Sequence, residues 1–151
     1  GGGQERGLRS GTEATAQIAG FAKAVELRME NFGQKLAHMA QIKQYAEQKL
    51  LAIDGVVRVG NGTAPHILAV SLVGYPSANV VTELGQEGIC ISAGSACHRG
   101  QLSHVYKEMG LDKKTAAGVL RVSFGPETTK EDIDTLCAAL QKHRDTRFPM
   151  L

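Results

Sequence analysis

We expect a small domain of the α/β class, more narrowly an α+β domain, in which a mostly antiparallel sheet packs against helices and a long helix comes first. Three observations lead to this expectation. The 151 residues, 42% of them apolar and 21% charged, fit one ordinary globular domain. Apolar residues recur at steps of three and four over the first third of the chain, and short β-branched runs bounded by turn formers follow it.

The first third of the chain is predicted to be helical after a short loop. Residues 1–12, GGGQERGLRSGT, include five glycines and have no apolar period, so they are predicted to form a loop, with Thr12 as the N-cap of the first helix. Asn31 and Gly33 interrupt the helical period, which predicts either two helices or one bent helix ending near Asp54. The apolar stripe comprises Ile18, Phe21, Val25, Met29 and Phe32, then Leu36, Met39, Ile42, Ala46, Leu50 and Ile53.

The remainder of the chain is predicted to alternate between strands and helices. Its β-branched runs predict strands at residues 56–59, 67–73, 89–92 and 119–124. A short helix capped by Ser77 and a second helix over residues 102–109 are expected between them. Thr128 and Glu131 have the spacing of a capping box, and an apolar period through Ile133, Leu136 and Leu140 predicts the last helix.

Composition and charge restrict the classes of partner. Seventeen basic and fifteen acidic residues give a net charge of +2, which is too balanced to indicate a nucleic-acid or anionic-membrane partner. No apolar run reaches the roughly 18 to 20 residues that a membrane helix needs, and no signal-peptide pattern opens the chain. We therefore expect a cytoplasmic protein that binds neither nucleic acid nor membrane.

The three cysteines are an odd number at irregular spacing, which is typical of a reducing compartment. Cys90 and Cys137 lie in apolar patterns and are predicted to be core residues. Cys97 lies among small residues and next to two potentially cationic ones, in the segment SAGSACHRG. Nearby positive charge favours the nucleophilic thiolate, whereas an inert buried thiol is the alternative that the residues alone leave open.

A zinc site built from Cys90, Cys97, His98 and His104 is disfavoured. Structural zinc sites repeat closely spaced ligand pairs, which this sequence does not do, so no metal is predicted.

Two further features could bind anions. Arg121 interrupts an apolar strand, where its guanidinium could bind a substrate carboxylate or form an internal salt bridge. The glycine-rich opening, which precedes a predicted helix start, could bind phosphate, although this signal is weak by itself.

Three segments, taken in order, resemble the C-terminal part of the NifS/IscS-like cysteine desulfurases. These are residues 1–12, GGGQERGLRSGT; residues 92–100, SAGSACHRG; and residues 120–124, LRVSF, followed by Thr128 and Thr129. The resemblance extends over essentially the whole chain, including the Gly110-Leu111 pair and the closing helix. It implies the C-terminal part of a pyridoxal 5'-phosphate enzyme of the class V aminotransferase type, which takes sulfur from L-cysteine and leaves L-alanine.

The resemblance also implies roles for three residues of this chain. Cys97 would accept the sulfur as a persulfide and carry it to an acceptor protein, such as an iron–sulfur scaffold. Arg121 would bind the substrate carboxylate. Thr12 would contact the cofactor phosphate of the other subunit in a homodimer.

One departure from the family pattern sets an expectation about activity. The Schiff-base lysine of the family follows a histidine, and no His-Lys pair occurs here. In the family that lysine and most of the cofactor pocket precede the glycine-rich segment. We therefore expect residues 1–12 to come from the junction with a large domain, residues 13–151 to form the small domain with the catalytic loop, and the chain alone to hold the cofactor poorly and be inactive.

Two alternative functions stay open at this point. One is a free-standing sulfur-carrier or interaction domain in which Cys97 receives sulfur from a separate enzyme. The other is a selenocysteine lyase, which shares the fold and the cysteine loop.

Overall fold

The computed structural model describes residues 1–94 and 104–150. The chain divides into two compact units, Gly1–Gln34 and Lys35–Leu151. A short 3₁₀ helix covers Gln4–Gly7. The described α-helices are α1 Thr15–Met29, α2 Phe32–Leu51, α3 Ser77–Gln86, α4 His104–Glu108, α5 Lys113–Ala117 and α6 Lys130–Thr146, and the described strands are β1 Val56–Arg58, β2 Ile67–Leu72, β3 Ser92–Ala93 and β4 Val119–Ser123. Within these residues no helix combines the length and the apolar character needed to cross a bilayer.

The first helix begins later than its sequence pattern predicts. Helix α1 starts at Thr15 after Ala14, whose side chain makes no capping hydrogen bond, so the prediction of Thr12 as N-cap is wrong. The first helical bond instead runs from the Ile18 N–H to the Ala14 carbonyl, at 3.0 Å. Asn31 has a positive φ of 53°, which stops the helix, so the two-helix alternative is correct.

The sheet has the order β1-β2-β4-β3, and every neighbouring pair is antiparallel. This confirms the predicted small antiparallel sheet. Strand β3 is shorter than the predicted run over residues 89–92. The Ile89 N–H donates to the Leu84 carbonyl at 2.9 Å and so completes the end of α3, which removes Ile89 from the ladder.

One face of the sheet forms the hydrophobic core. Side chains alternate along β2 and β4, so Leu68, Val70, Leu120 and Val122 point to one side and are buried. Helices α2, α3 and α6 supply the other side of this core through Ile42, Ala46, Leu50, Val80, Leu84, Ile133, Leu136 and Leu140. The predicted apolar face of the last helix is thus confirmed.

Within residues 1–94 and 104–150, helix α5 covers one end of the opposite face of the sheet. Helix α5, which the sequence analysis did not predict, begins after Asp112, whose carboxylate accepts from the Lys114 and Thr115 backbone N–H groups. The buried Ser71 hydroxyl donates to the Thr115 carbonyl at 2.6 Å. This contact fixes α5 over the end of β2 and β4.

Two helix caps, those of α6 and α3, differ by one residue from the prediction. The Thr128 hydroxyl accepts from the Gly125 N–H at 2.8 Å and closes a turn. Thr129 therefore caps α6 and forms the capping box with Asp132, whereas Thr128 and Glu131 were predicted. Likewise Ser77 is the first residue of α3, and Pro76 holds the cap position.

Candidate functional site

The proposed nucleophile Cys97 lies outside the described residues, as do His98 and Arg99. The structure describes the chain on either side of residues 95–103, which we call the Cys97 segment. Strand β3 and Gly94 come directly before it, and α4 comes directly after it. The surroundings of these two flanks therefore define the candidate site.

Arg121 lies on the open face of the sheet, opposite the core. Its neighbours Leu120 and Val122 point into the core, so the alternation of β4 exposes the guanidinium. Arg121 is paired in register with Ser92 of β3 and Ala69 of β2. The pairing of β3 with β4 thus places Arg121 next to the strand that leads into the Cys97 segment.

The guanidinium of Arg121 has a hydroxyl rather than a carboxylate beside it. Its Nη2 donates to the Ser92 Oγ at 3.4 Å, which is a long hydrogen bond. Over residues 1–94 and 104–150 no Asp or Glu forms an ion pair with Arg121. The internal salt bridge that the sequence left open is therefore not found in that part of the chain.

Tyr106 of α4 brings a second polar group to this place. A Cβ built on Gly94 would lie 3.6 Å from the Tyr106 hydroxyl oxygen, so the phenol packs on the Gly94 backbone. Burial raises the pKa of Tyr106, and the positive charge of Arg121 opposes this shift. Sequence analysis missed Tyr106, because only the pairing of β3 with β4 places Gly94 next to Arg121.

The glycine-rich opening belongs to the first unit and forms a compact loop. Gly7 and Gly11 have φ values of 80° and 103°, which favour glycine. The Arg9 guanidinium donates to the Thr12 carbonyl at 3.1 Å, and the Gly11 N–H donates to the Gln4 side chain at 3.3 Å. Thr12 is exposed, and its hydroxyl takes part in none of the hydrogen bonds described for this unit.

The other two cysteines have different surroundings. Cys137 packs against the core, as predicted, and burial raises the pKa of its thiol to about 11. Cys90 is exposed, so its prediction as a core residue is wrong. Ile89 and Ile91 pack against the core, and the alternation of extended chain turns the residue between them outward.

A metal centre finds no support in the described residues. Among them no three His, Cys, Asp or Glu side chains lie close enough together to hold an ion. Of the four zinc ligands considered from the sequence, Cys97 and His98 lie outside these residues.

Comparison with known proteins gives consistent results. Residues 2–136 match the family model described as Aminotransferase class-V. Cysteine desulfurase IscS from Clostridium botulinum is 37% identical over 150 residues, and a cysteine desulfurase from Rhodobacter capsulatus is 33% identical over 144 residues. The solved structure of a NifS-like protein from Rickettsia africae aligns with a TM-score of 0.83 at 28% identity.

These alignments cover nearly all of this chain but a minor part of each relative. They include 94%, 93% and 97% of this chain, respectively. The chain spans 38% of the length of each of the two curated relatives and 39% of the Rickettsia chain.

Proposed function

The chain belongs to the class V aminotransferase family, and from that membership we propose that it is the C-terminal part of a pyridoxal phosphate-dependent cysteine desulfurase. The names of its relatives support this activity, which we assign to the intact parent protein. Among the structural observations, the one that carries the proposal is Arg121. Arg121 is paired in register with Ser92 of β3, the strand that leads into the Cys97 segment, and its guanidinium is exposed.

The proposed reaction moves one sulfur atom. The Cys97 thiolate attacks the sulfur of bound L-cysteine, the carbon–sulfur bond of the substrate breaks, and a sulfur–sulfur bond forms. The substrate carbon takes up a proton, so the products are L-alanine and a Cys97 persulfide. Atoms and electrons balance without an external oxidant, and an acceptor protein such as an iron–sulfur scaffold then takes the terminal sulfur.

Arg121 is proposed to bind and orient the substrate. A guanidinium presents two parallel N–H groups to a carboxylate, which fixes both the position and the rotation of an amino acid. Ser92 lies in the strand that leads into the Cys97 segment, and its hydroxyl oxygen accepts a hydrogen bond from the same guanidinium. Substrate binding and the sulfur-accepting segment are therefore coupled through β3.

The chain supplies one part of a cofactor site. No lysine follows a histidine in this sequence, so the family pattern for the Schiff-base lysine is absent from these 151 residues. The Thr12 hydroxyl, in an exposed glycine-rich loop, is suited to contact a phosphate, which we propose to be that of the other subunit in a homodimer. When bound, pyridoxal phosphate supplies the electron sink for breaking the carbon–sulfur bond.

The proposed organisation follows from the same assignment. Residues 1–12 come from the junction with a large domain, and residues 13–151 form the small domain that carries Cys97. We propose that the parent protein is cytoplasmic, because three cysteines at irregular spacing suit a reducing compartment. The isolated chain is expected to be inactive.

The test is sulfide release from L-cysteine by the intact parent protein with pyridoxal phosphate and a thiol reductant. We expect activity in the wild type and in Cys90→Ala, which removes an exposed cysteine. Cys97→Ala should abolish activity while the visible absorbance of the cofactor is retained.

Three outcomes would contradict the proposal. A parent protein that binds no cofactor and makes no sulfide would indicate the free-standing sulfur carrier. Release of selenide from L-selenocysteine without sulfide from L-cysteine would indicate the lyase. Equal loss of activity in Cys90→Ala and Cys97→Ala would remove the assigned role of Cys97.

A further inference from the structure

We propose that the Tyr106 hydroxyl is a second hydrogen-bond donor to the substrate α-carboxylate. It acts with Arg121 to select substrates that carry this group. This inference rests on the proposed function, since it concerns the same substrate. It adds a specificity-determining residue from α4, the helix that follows the Cys97 segment.

Arg121 lies on β4, next to the edge strand β3. In the described part of the chain, β3 is the edge strand of the sheet and pairs with β4 through Ser92 and Ala93. The Ser92 hydroxyl lies 3.4 Å from Arg121 Nη2, on the open face. The guanidinium is therefore directed toward the end of β3, where Gly94 follows.

Tyr106 packs at the end of β3, against Gly94. Its hydroxyl oxygen and its Cε2 lie 3.6 and 3.7 Å from the position of a Cβ on Gly94, which is van der Waals distance. Gly94 has a φ of 58°, a conformation that glycine adopts without strain. The backbone turn at Gly94 thus leaves room for the phenol at the end of β3, within electrostatic range of the Arg121 guanidinium.

The two groups at this end of β3 have the same hydrogen-bonding character. The guanidinium and the phenol are both donors, and in residues 1–94 and 104–150 no Asp or Glu pairs with either group. The same residues give the Tyr106 hydroxyl no hydrogen-bond partner, although the side chain is half-buried. A half-buried neutral donor beside a cation fits an anion with several lone pairs, and a carboxylate has about four acceptor positions.

The protonation state of Tyr106 agrees with a donor role. Burial raises the pKa of its hydroxyl, while Arg121 opposes the shift. The hydroxyl therefore keeps its proton throughout the neutral and mildly alkaline range and can donate to a carboxylate there.

A purely structural role is the competing interpretation, in which the Tyr106 ring supports Gly94 and the hydroxyl is incidental. The Tyr106→Phe substitution separates the two, because it keeps the ring and removes only the donor. Tyr45→Phe is the matched control. It also removes a tyrosine hydroxyl, one that donates to Asp134 on the core side of the sheet.

The experiment uses the intact parent protein loaded with pyridoxal phosphate. Tyr106→Phe should raise the KM for L-cysteine about tenfold, the loss expected for one hydrogen bond to a charged group, with kcat changed less than about twofold. Calorimetry should show a similar loss of affinity for L-alanine, but no change for alaninol, in which a hydroxymethyl group replaces the carboxylate. Tyr45→Phe should match the wild type in all three measurements.

Unchanged KM and L-alanine affinity in Tyr106→Phe would overturn the inference, and so would equal losses for L-alanine and alaninol. In either case, Cys97-dependent sulfide release by the wild type would leave the proposed function standing. A wild-type parent that releases no sulfide would contradict the proposed function and this inference with it.

Discussion

Arg121 offers a test in which substrate binding and folding separate. Its side chain is exposed on the open face of the sheet and forms one long hydrogen bond, to Ser92. Arg121→Gln in the intact protein should therefore raise the KM for L-cysteine about 100-fold, because two charge-assisted hydrogen bonds are lost. The unfolding temperature should move by less than about 2 °C. A large drop in unfolding temperature with KM unchanged would assign Arg121 to the structure instead.

The two described cysteines should differ in reactivity because they differ in burial. Cys90 is exposed, whereas burial raises the pKa of Cys137 to about 11. At pH 8 only about one Cys137 in a thousand is then a thiolate. In the folded protein a maleimide should label Cys90 quickly and Cys137 only after unfolding, as measured by peptide mass spectrometry. Equal labelling rates would contradict the described packing of α6.

Strand β4 shows at the level of secondary structure what a local pattern can reveal. The alternation Leu120, Arg121, Val122 predicts the strand, and the two faces of the sheet place the arginine opposite the core. Tyr106 could not be found in this way. Its position beside Arg121 depends on the pairing of β3 with β4, which no local pattern contains.

Helix ends were the least predictable elements, because neighbouring residues compete for the same role. Thr128 and Thr129 are both suited to cap α6. The Thr128 hydroxyl accepts from the Gly125 N–H instead, so Thr129 is the residue that caps the helix. Helix α5 is too short for an apolar period, so its only local signal is Asp112 at the cap position. The long helices and the buried strands, by contrast, were predicted from their periods.

The capping box gives a direct test of which threonine caps α6. Thr129→Ala should lower the free energy of unfolding by about 1 kcal/mol, because the Asp132 N–H loses its acceptor and the Asp132 carboxylate loses the hydroxyl that donates to it. Urea unfolding measures the change. Glu131→Ala is the control, because it removes the side chain that the sequence predicts for the box, and this exposed side chain should contribute little. A larger loss in Glu131→Ala than in Thr129→Ala would favour the cap predicted from sequence.

For the molecule as a whole, the free energy of unfolding should decrease in acid, because several carboxylates are stabilised in their charged form. Hydrogen bonds lower the pKa of several carboxylates, namely Glu83 beside His143, Asp112 beside Thr115, Asp132 beside Thr129, Asp134 beside Tyr45 and Asp145 beside Gln141. A lowered pKa in the folded state adds stability above the unfolded value of about 4, and this stability is lost as the pH falls through the folded value. The unfolding temperature should therefore decrease as the pH is lowered below about 4. A constant unfolding temperature from pH 6 to pH 2 would contradict these hydrogen bonds.

The proposed chemistry of the intact protein depends on one sulfur transfer, and a single turnover tests it. The intact protein with pyridoxal phosphate is mixed with L-cysteine in the absence of reductant, and both L-alanine and the modified peptide are quantified. We expect a burst of about one equivalent of L-alanine per subunit, with the added sulfur on the peptide that contains Cys97. A burst that persists in Cys97→Ala, or sulfur found on Cys90 instead, would contradict Cys97 as the sulfur acceptor.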